Sequence, residues 1–189
     1  MFIWMPAENK KRSVQYWNSL WRELVYKGNN SILDLILDAG FDGVFMDRMD
    51  GYGDWGSGAG ALNAMADLVG DVAAKARARD PSFILMMQNA EALLLHEKLV
   101  AVIDAHNKES LLTGLSLANT RNKLDDVDWS LSYLRPLQEI GVPTFATEYI
   151  SDQSLRTEIQ QRLTELGFVP FFANLGLNRL PGADGEDGK

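Results

Sequence analysis

Cysteine is absent from these 189 residues, so neither a disulfide framework nor a thiolate metal site can form. Histidine is nearly absent too. His96 and His106 are too few for a histidine-rich metal cluster, and no cofactor or metal is expected. Basic residues are outnumbered, 18 Lys and Arg against 26 Asp and Glu, for a net charge of −8. Phosphate binding needs Lys and Arg surfaces, so this balance argues against nucleic acid as a partner. Excess acid instead keeps a chain soluble and attracts cationic ligands. No apolar run approaches the roughly 20 residues that span a bilayer. Met1-Phe-Ile-Trp-Met5 is too short for a secretion signal and has no basic flank before it. A hydrophobic content of 46% is enough for one domain with a sizeable core.

The patterning is a repeat: an amphipathic helix, a glycine, then an apolar strand. Ser31-Ile32-Leu33-Asp34 opens the first helix with capping-box spacing, Gly40 ends it, and Phe41 to Met46 follows. The second helix runs from about Asp126 through Trp129, Leu134 and Leu137 to Gly141, before a strand at Val142 to Ala146. The third starts at Ser151 or Asp152 and stops at Gly167 before Phe168 to Ala173. Glycine just past a helix supplies the left-handed conformation that closes it. Two further strands fit the rhythm. One is Phe83 to Met87, after a helix striped with Leu62, Met65, Leu68, Val69, Val72 and Ala76; the other is Leu99 to Ala105, after a short helix from Ala92. Five strands alternating with helices imply a parallel sheet with right-handed crossovers. An open doubly wound sheet fits that number; a (β/α)8 barrel fits the rhythm but typically needs roughly 250 residues. A barrel would therefore be incomplete at its N-terminal side, with Met1 to Trp4 as a possible sixth strand. Residues 1–180 read as one domain, and the glycine-rich acidic stretch from Pro181 to Lys189 as a disordered tail.

The segment most suggestive of a site is Gly40-Phe-Asp-Gly-Val-Phe-Met-Asp-Arg-Met-Asp50. A buried strand cannot continue through bare carboxylates, because desolvating an unpaired charge is costly. The strand must therefore emerge at Asp47 and Asp50, and strand C-terminal ends are where ligands bind in α/β folds. Every other strand also exits into polar residues: Gln88 and Asn89; Asp104, His106 and Glu109; Glu148 and Tyr149; Asn174. Carboxylates gathered on one rim can divide acid and nucleophile roles, the usual means of cutting glycosidic bonds. Trp17, Tyr52, Trp55 and Tyr149 beside them could stack on sugar rings; core packing or a loop anchor is the alternative for each, and for Trp17 an equal one.

Two motifs point elsewhere. Gly51-x-Gly53-x-x-Gly56 matches a dinucleotide fingerprint between strand and helix, but Asp47, Asp50 and Asp54 would surround a pyrophosphate with negative charge. The same aspartates suggest calcium, yet the twelfth position counted from Asp47 is Gly58 rather than the Glu of an EF-hand loop.

Three segments, Gly40 to Asp50, Met87-Gln-Asn-Ala-Glu91 and Lys108-Glu-Ser-Leu-Leu112, stand in the order and spacing of a known family. The chain resembles glycoside hydrolase family 114, the endo-α-1,4-polygalactosaminidases and their bacterial relatives. Val14-Gln15-Tyr16-Trp17 and Glu148-Tyr149 add to the likeness, which covers about residues 4 to 180. The resemblance implies an exported (β/α)8 barrel acting on galactosamine-rich polysaccharide, with Asp47 as nucleophile and Glu109 as acid/base. It further implies a substrate, with cationic amino sugars among the candidates, held by Asp50, Tyr52, Trp55, Asn89, Glu148 and Tyr149. The family's first strands have no counterpart here, so this chain alone is expected to be inactive where the intact protein cleaves. The competing functions are a non-catalytic glycan-binding module and a dinucleotide-binding enzyme using Gly51, Gly53 and Gly56.

Overall fold

A computed structural model describes residues 14–55 and 58–177. The possible strand at Met1 to Trp4, Gly56 of the glycine motif and the tail from Pro181 lie outside the described residues. The chain divides after Asp104 into two compact units, each made of helices alternating with parallel strands.

The first unit opens with the short helix α1 (Ser19–Arg22), capped by the Asn18 side chain and running into a π-helical turn at Glu23–Lys27. Helix α2 (Ile32–Asp38) carries the expected capping box: Ser31 Oγ accepts the Asp34 N–H, and Asp34 Oδ2 accepts the Ser31 N–H. The chain turns at Gly40, whose φ of 75° is the left-handed conformation the repeat requires. Strand β1 (Gly43–Met46) follows, then a 3-10 helix at Met49–Trp55 and the long helix α3 (Ala59–Arg79). Strand β2 (Ile84–Gln88) lies parallel to β1, with Gly43 opposite Ile84 and Met46 opposite Met87. Of the predicted stripe of α3, Met65, Leu68, Val69, Val72 and Ala76 are buried, with Ala73 beside them, and Leu62 is half-buried. Gly43 has a steric reason to be glycine. A Cβ there would lie 2.4 Å from the Ile84 carbonyl oxygen, a distance at which backbone must move. The unit ends in a 3-10 helix at Glu91–Leu95 and helix α4 (Glu97–Val100). Asp104 ties that end back, accepting the Leu85 N–H and the Arg77 guanidinium, each at 2.7 Å.

The second unit comprises β3 (Ala105–Glu109), α5 (Leu124–Glu139), β4 (Thr144–Glu148), α6 (Gln153–Glu165) and β5 (Val169–Phe172). Its strands pair parallel in chain order, β3 with β4 and β4 with β5. Helix α5 packs on β4 and α6 on β5; Leu131, Leu134, Leu137, Ile159 and Leu163 are buried. Gly141 and Gly167 close their helices at positive φ, as Gly40 does.

One strand is not where hydropathy put it. Leu99 to Ala105 was the expected third strand, but Leu99 and Val100 end helix α4 and the strand is Ala105–Glu109. Asp104 and His106 are consequently not exit residues: Asp104 precedes β3 and His106 is fully buried within it. Glu109 becomes the last residue of the strand. Five strands are present among the described residues, where a complete (β/α)8 barrel has eight.

Candidate functional site

In the first unit, Asp47 follows directly on β1 and sits half-buried at its C-terminal end. Because β1 and β2 run parallel in register, Asp47, just past β1, is brought beside Gln88, the last residue of β2. Gln88 Nε2 donates to Asp47 Oδ1 at 3.1 Å, and the Arg48 N–H donates to the same oxygen at 2.7 Å. Among the described residues, Oδ2 accepts nothing. One oxygen is held and the other is open, which suits a carboxylate that must attack along a fixed direction.

The backbone around Asp47 is strained. Arg48 has a φ of 60°, and Asn89 and Ala90, following β2, have φ of 52° and 58°. Left-handed non-glycine residues cost about 1–3 kcal/mol each and gather where function over-determines the backbone. They turn the chain abruptly at the ends of β1 and β2. Asp50 lies in the 3-10 helix after Asp47, exposed and loosely paired with Arg48 at 3.8 Å. Trp55, at the end of that helix, is 38% exposed; its indole N–H donates to the Val14 carbonyl at 3.2 Å and its ring meets Trp17 edge-on at 5.1 Å. Trp17 is itself 39% exposed, so this pair is not core packing. Tyr16 beneath it is buried and donates to the Ala61 carbonyl. Burial, and then the neighbouring Tyr52, push the Tyr16 phenol above its ordinary pKa of 10.0. Tyr52 and Asn89 are both half-exposed in this unit.

In the second unit, Glu109 ends β3 half-buried, and the Tyr149 hydroxyl, one residue past β4, donates to its Oε1. Ser110, immediately after Glu109, is again left-handed at φ 54°. Glu148 differs from the other predicted residues. It is 0% exposed, and its oxygens accept three bonds: Leu112 N–H at 2.7 Å, Thr113 N–H at 3.1 Å and Thr113 Oγ1 at 2.6 Å. Loss of hydration raises its carboxyl above the usual 4.5, against the lowering effect of these bonds and of the Lys108 charge. Glu148 is thus enclosed by internal bonds to Leu112 and Thr113 and is not open at the rim. Sequence reasoning missed Arg48, Ser110, Thr113 and Asn122 as parts of these strand ends; an isolated Arg, Ser or Thr gives no local signal of a left-handed turn or a clamp. Among the described residues, no group of three or more His, Asp or Glu side chains is placed to hold a metal ion.

The chain matches the profile of Glycoside-hydrolase family GH114 over residues 5–186. An uncharacterized protein of Deinococcus radiodurans is 30% identical over 167 residues, 88% of this chain and 52% of that protein. The chain spans about half the length of the curated relatives it matches. Among solved structures, the glycoside hydrolase domain of PelA from Pseudomonas aeruginosa superposes with a TM-score of 0.63 at 24% identity, covering 78% of this chain and 59% of that one. Aspergillus fumigatus Ega3, in complex with galactosamine, gives 0.56 at 22%, covering 77% and 55%. These two likenesses establish the fold as that of the barrel-type glycoside hydrolase domains.

Proposed function

Because this chain belongs to glycoside hydrolase family GH114, we propose that the intact protein cleaves α-1,4 linkages in galactosamine-rich polysaccharide with retention at the anomeric carbon. The observation that carries this reading is Asp47: a half-buried carboxylate at a strand end, with Oδ1 fixed by Gln88 and Arg48 and Oδ2 open. Asp47 Oδ2 attacks the anomeric carbon while Glu109 gives its proton to the departing glycosidic oxygen. The carbon–oxygen bond breaks and a glycosyl ester forms on Asp47. Water then attacks the same carbon, Glu109 takes the water's proton, and Asp47 leaves. Retention requires the two carboxyl groups to stand about 5–5.5 Å apart in the competent site; about 6.5–9.5 Å would go with inversion.

Asp50, Tyr52, Trp55, Asn89 and Tyr149 are the residues proposed to hold the substrate. The exposed Asp50 carboxylate and the net charge of −8 favour a cationic amine on the sugar. Ega3 in complex with galactosamine supports the same sugar class. The family likeness supports export of the intact protein; separately, among the described residues no helix is long and apolar enough to cross a membrane.

Release of reducing ends from an α-1,4-galactosamine polymer by the intact protein tests the reading. Binding without cleavage would make the chain a glycan-binding module. Tight binding of a nicotinamide dinucleotide would restore the Gly51–Gly56 motif to consideration.

A further inference from the structure

Glu148 and Tyr149 are neighbours at the end of β4, and successive strand residues point to opposite sides. They thereby grip two different parts of the β3 exit. Tyr149 donates to the Glu109 carboxylate itself, and Glu148 receives the Leu112 and Thr113 N–H groups three and four residues on. The intervening Ser110 is left-handed, and a serine holds φ 54° only if its surroundings impose it. The surroundings do so from both sides. Asn122 Nδ2 donates to the Ser110 and Leu111 carbonyls at 2.8 and 2.9 Å, the Ser110 N–H reaches Thr147 O at 2.8 Å, and the Asn122 N–H reaches Leu112 O at 2.8 Å. The peptide groups of residues 110–113 are thus fastened by β4 on one side and Asn122 on the other.

Stability alone does not account for a carboxylate in this position. Burying a charge is costly, and a neutral group with matching shape would serve the core better. What only a carboxylate supplies is two acceptor oxygens side by side, one for Leu112 and one for the Thr113 N–H and hydroxyl together. We propose that Glu148 is a positioning residue for Glu109: its buried carboxylate locks the 110–113 turn, and the locked turn aims the Glu109 carboxyl at the leaving oxygen. This rests on the acid/base role proposed for Glu109 above. Glu148 touches no substrate and transfers no proton. Geometry is a demanding requirement for such a group, since misplacement on the order of 1 Å can cost about a hundredfold in rate.

The experiment compares Glu148→Gln, Thr113→Val and Glu109→Gln in the intact protein on two substrates. One is the galactosamine oligomer, whose leaving alcohol needs a proton; the other is the same oligomer carrying a dinitrophenyl leaving group, which does not. Glu148→Gln puts an NH2 where an acceptor is needed, and Thr113→Val removes the hydroxyl donor while keeping the shape. Each should lower kcat/KM on the plain oligomer by about ten- to a hundredfold and have little effect on kcat/KM for the dinitrophenyl substrate, because that ratio reports the first step, in which the leaving group departs. Thr113→Ser should restore activity. Equal losses of kcat/KM on both substrates would overturn the positioning role while Glu109→Gln still shows the leaving-group dependence. If Glu109→Gln shows none, the acid/base assignment fails and the positioning role with it. Should Glu148→Gln not fold, Thr113→Val carries the same comparison.

Discussion

The hydroxyl of Tyr149 donates directly to Oε1 of Glu109, joining the end of β4 to the end of β3 within the second unit. Removing one partner of such a bond without replacement costs about 1–3 kcal/mol. Tyr149→Phe should therefore lower kcat by about ten- to a hundredfold, with the fold intact by circular dichroism. An unchanged kcat would show that the bond plays no part in turnover.

The first unit offers a steric test of how β1 presents Asp47. A Cβ at Gly43 would meet the Ile84 carbonyl oxygen at 2.4 Å and the Ile84 Cβ at 2.8 Å. Gly43→Ala must push β1 and β2 apart, at a cost of about 1–3 kcal/mol typical of overpacking. Urea unfolding should register that loss. Activity should fall as well, because the Asp47–Gln88 bond depends on the register of the same two strands.

Asp34 sets an acid limit on the first unit. Lys75, 2.7 Å from its Oδ2, and then the Ser31 hydroxyl hold the Asp34 carboxyl down to about 2, against 3.8 when free. A depressed carboxylate pKa gives stability that is present above 3.8 and lost as pH falls toward about 2. Lys75→Met should remove most of that pH dependence, so its difference from wild type should shrink as the pH drops through this window in urea titrations.

Glu148 has the opposite sign. Burial raises its pKa above 4.5, so the protonated form is favoured by folding. Its contribution is fully present below 4.5 and declines as pH rises through the raised value. The stability of wild type relative to Glu148→Gln should accordingly fall from acid to neutral pH; a rising difference would mean that the bonds from Leu112 and Thr113 outweigh burial.

Much of the architecture was legible in the chain because the helix–glycine–strand unit is local. Ser31 and Asp34 cap their own helix, and Gly40, Gly141 and Gly167 close theirs at positive φ, so spacing alone locates these elements to within a few residues. The third strand escaped because its signal is inverted. Leu99 to Ile103 is apolar yet half helical, while the true strand reads Ala-His-Asn-Lys-Glu, four of its five residues buried. Its polar groups are satisfied inside, as where Thr147 Oγ1 donates to Asn107 Oδ1 at 3.0 Å, and hydropathy cannot register such partners. The site shows the same division. The end of β1 just before Asp47 was legible because a carboxylate stops an apolar run. The enclosure of Glu148 was not legible, because it depends on Leu112 and Thr113, about thirty-five residues away in sequence.

The central claim is a pair of carboxylates that cuts an amino-sugar polymer, and the direct measurement is reducing-end release from an α-1,4-galactosamine polymer by the intact protein and two variants. Wild type should release reducing ends, and Asp47→Asn and Glu109→Gln should each abolish release while keeping the wild-type circular dichroism spectrum. Full activity in Glu109→Gln, with loss in Glu148→Gln, would move the acid/base to the end of β4 and contradict the account.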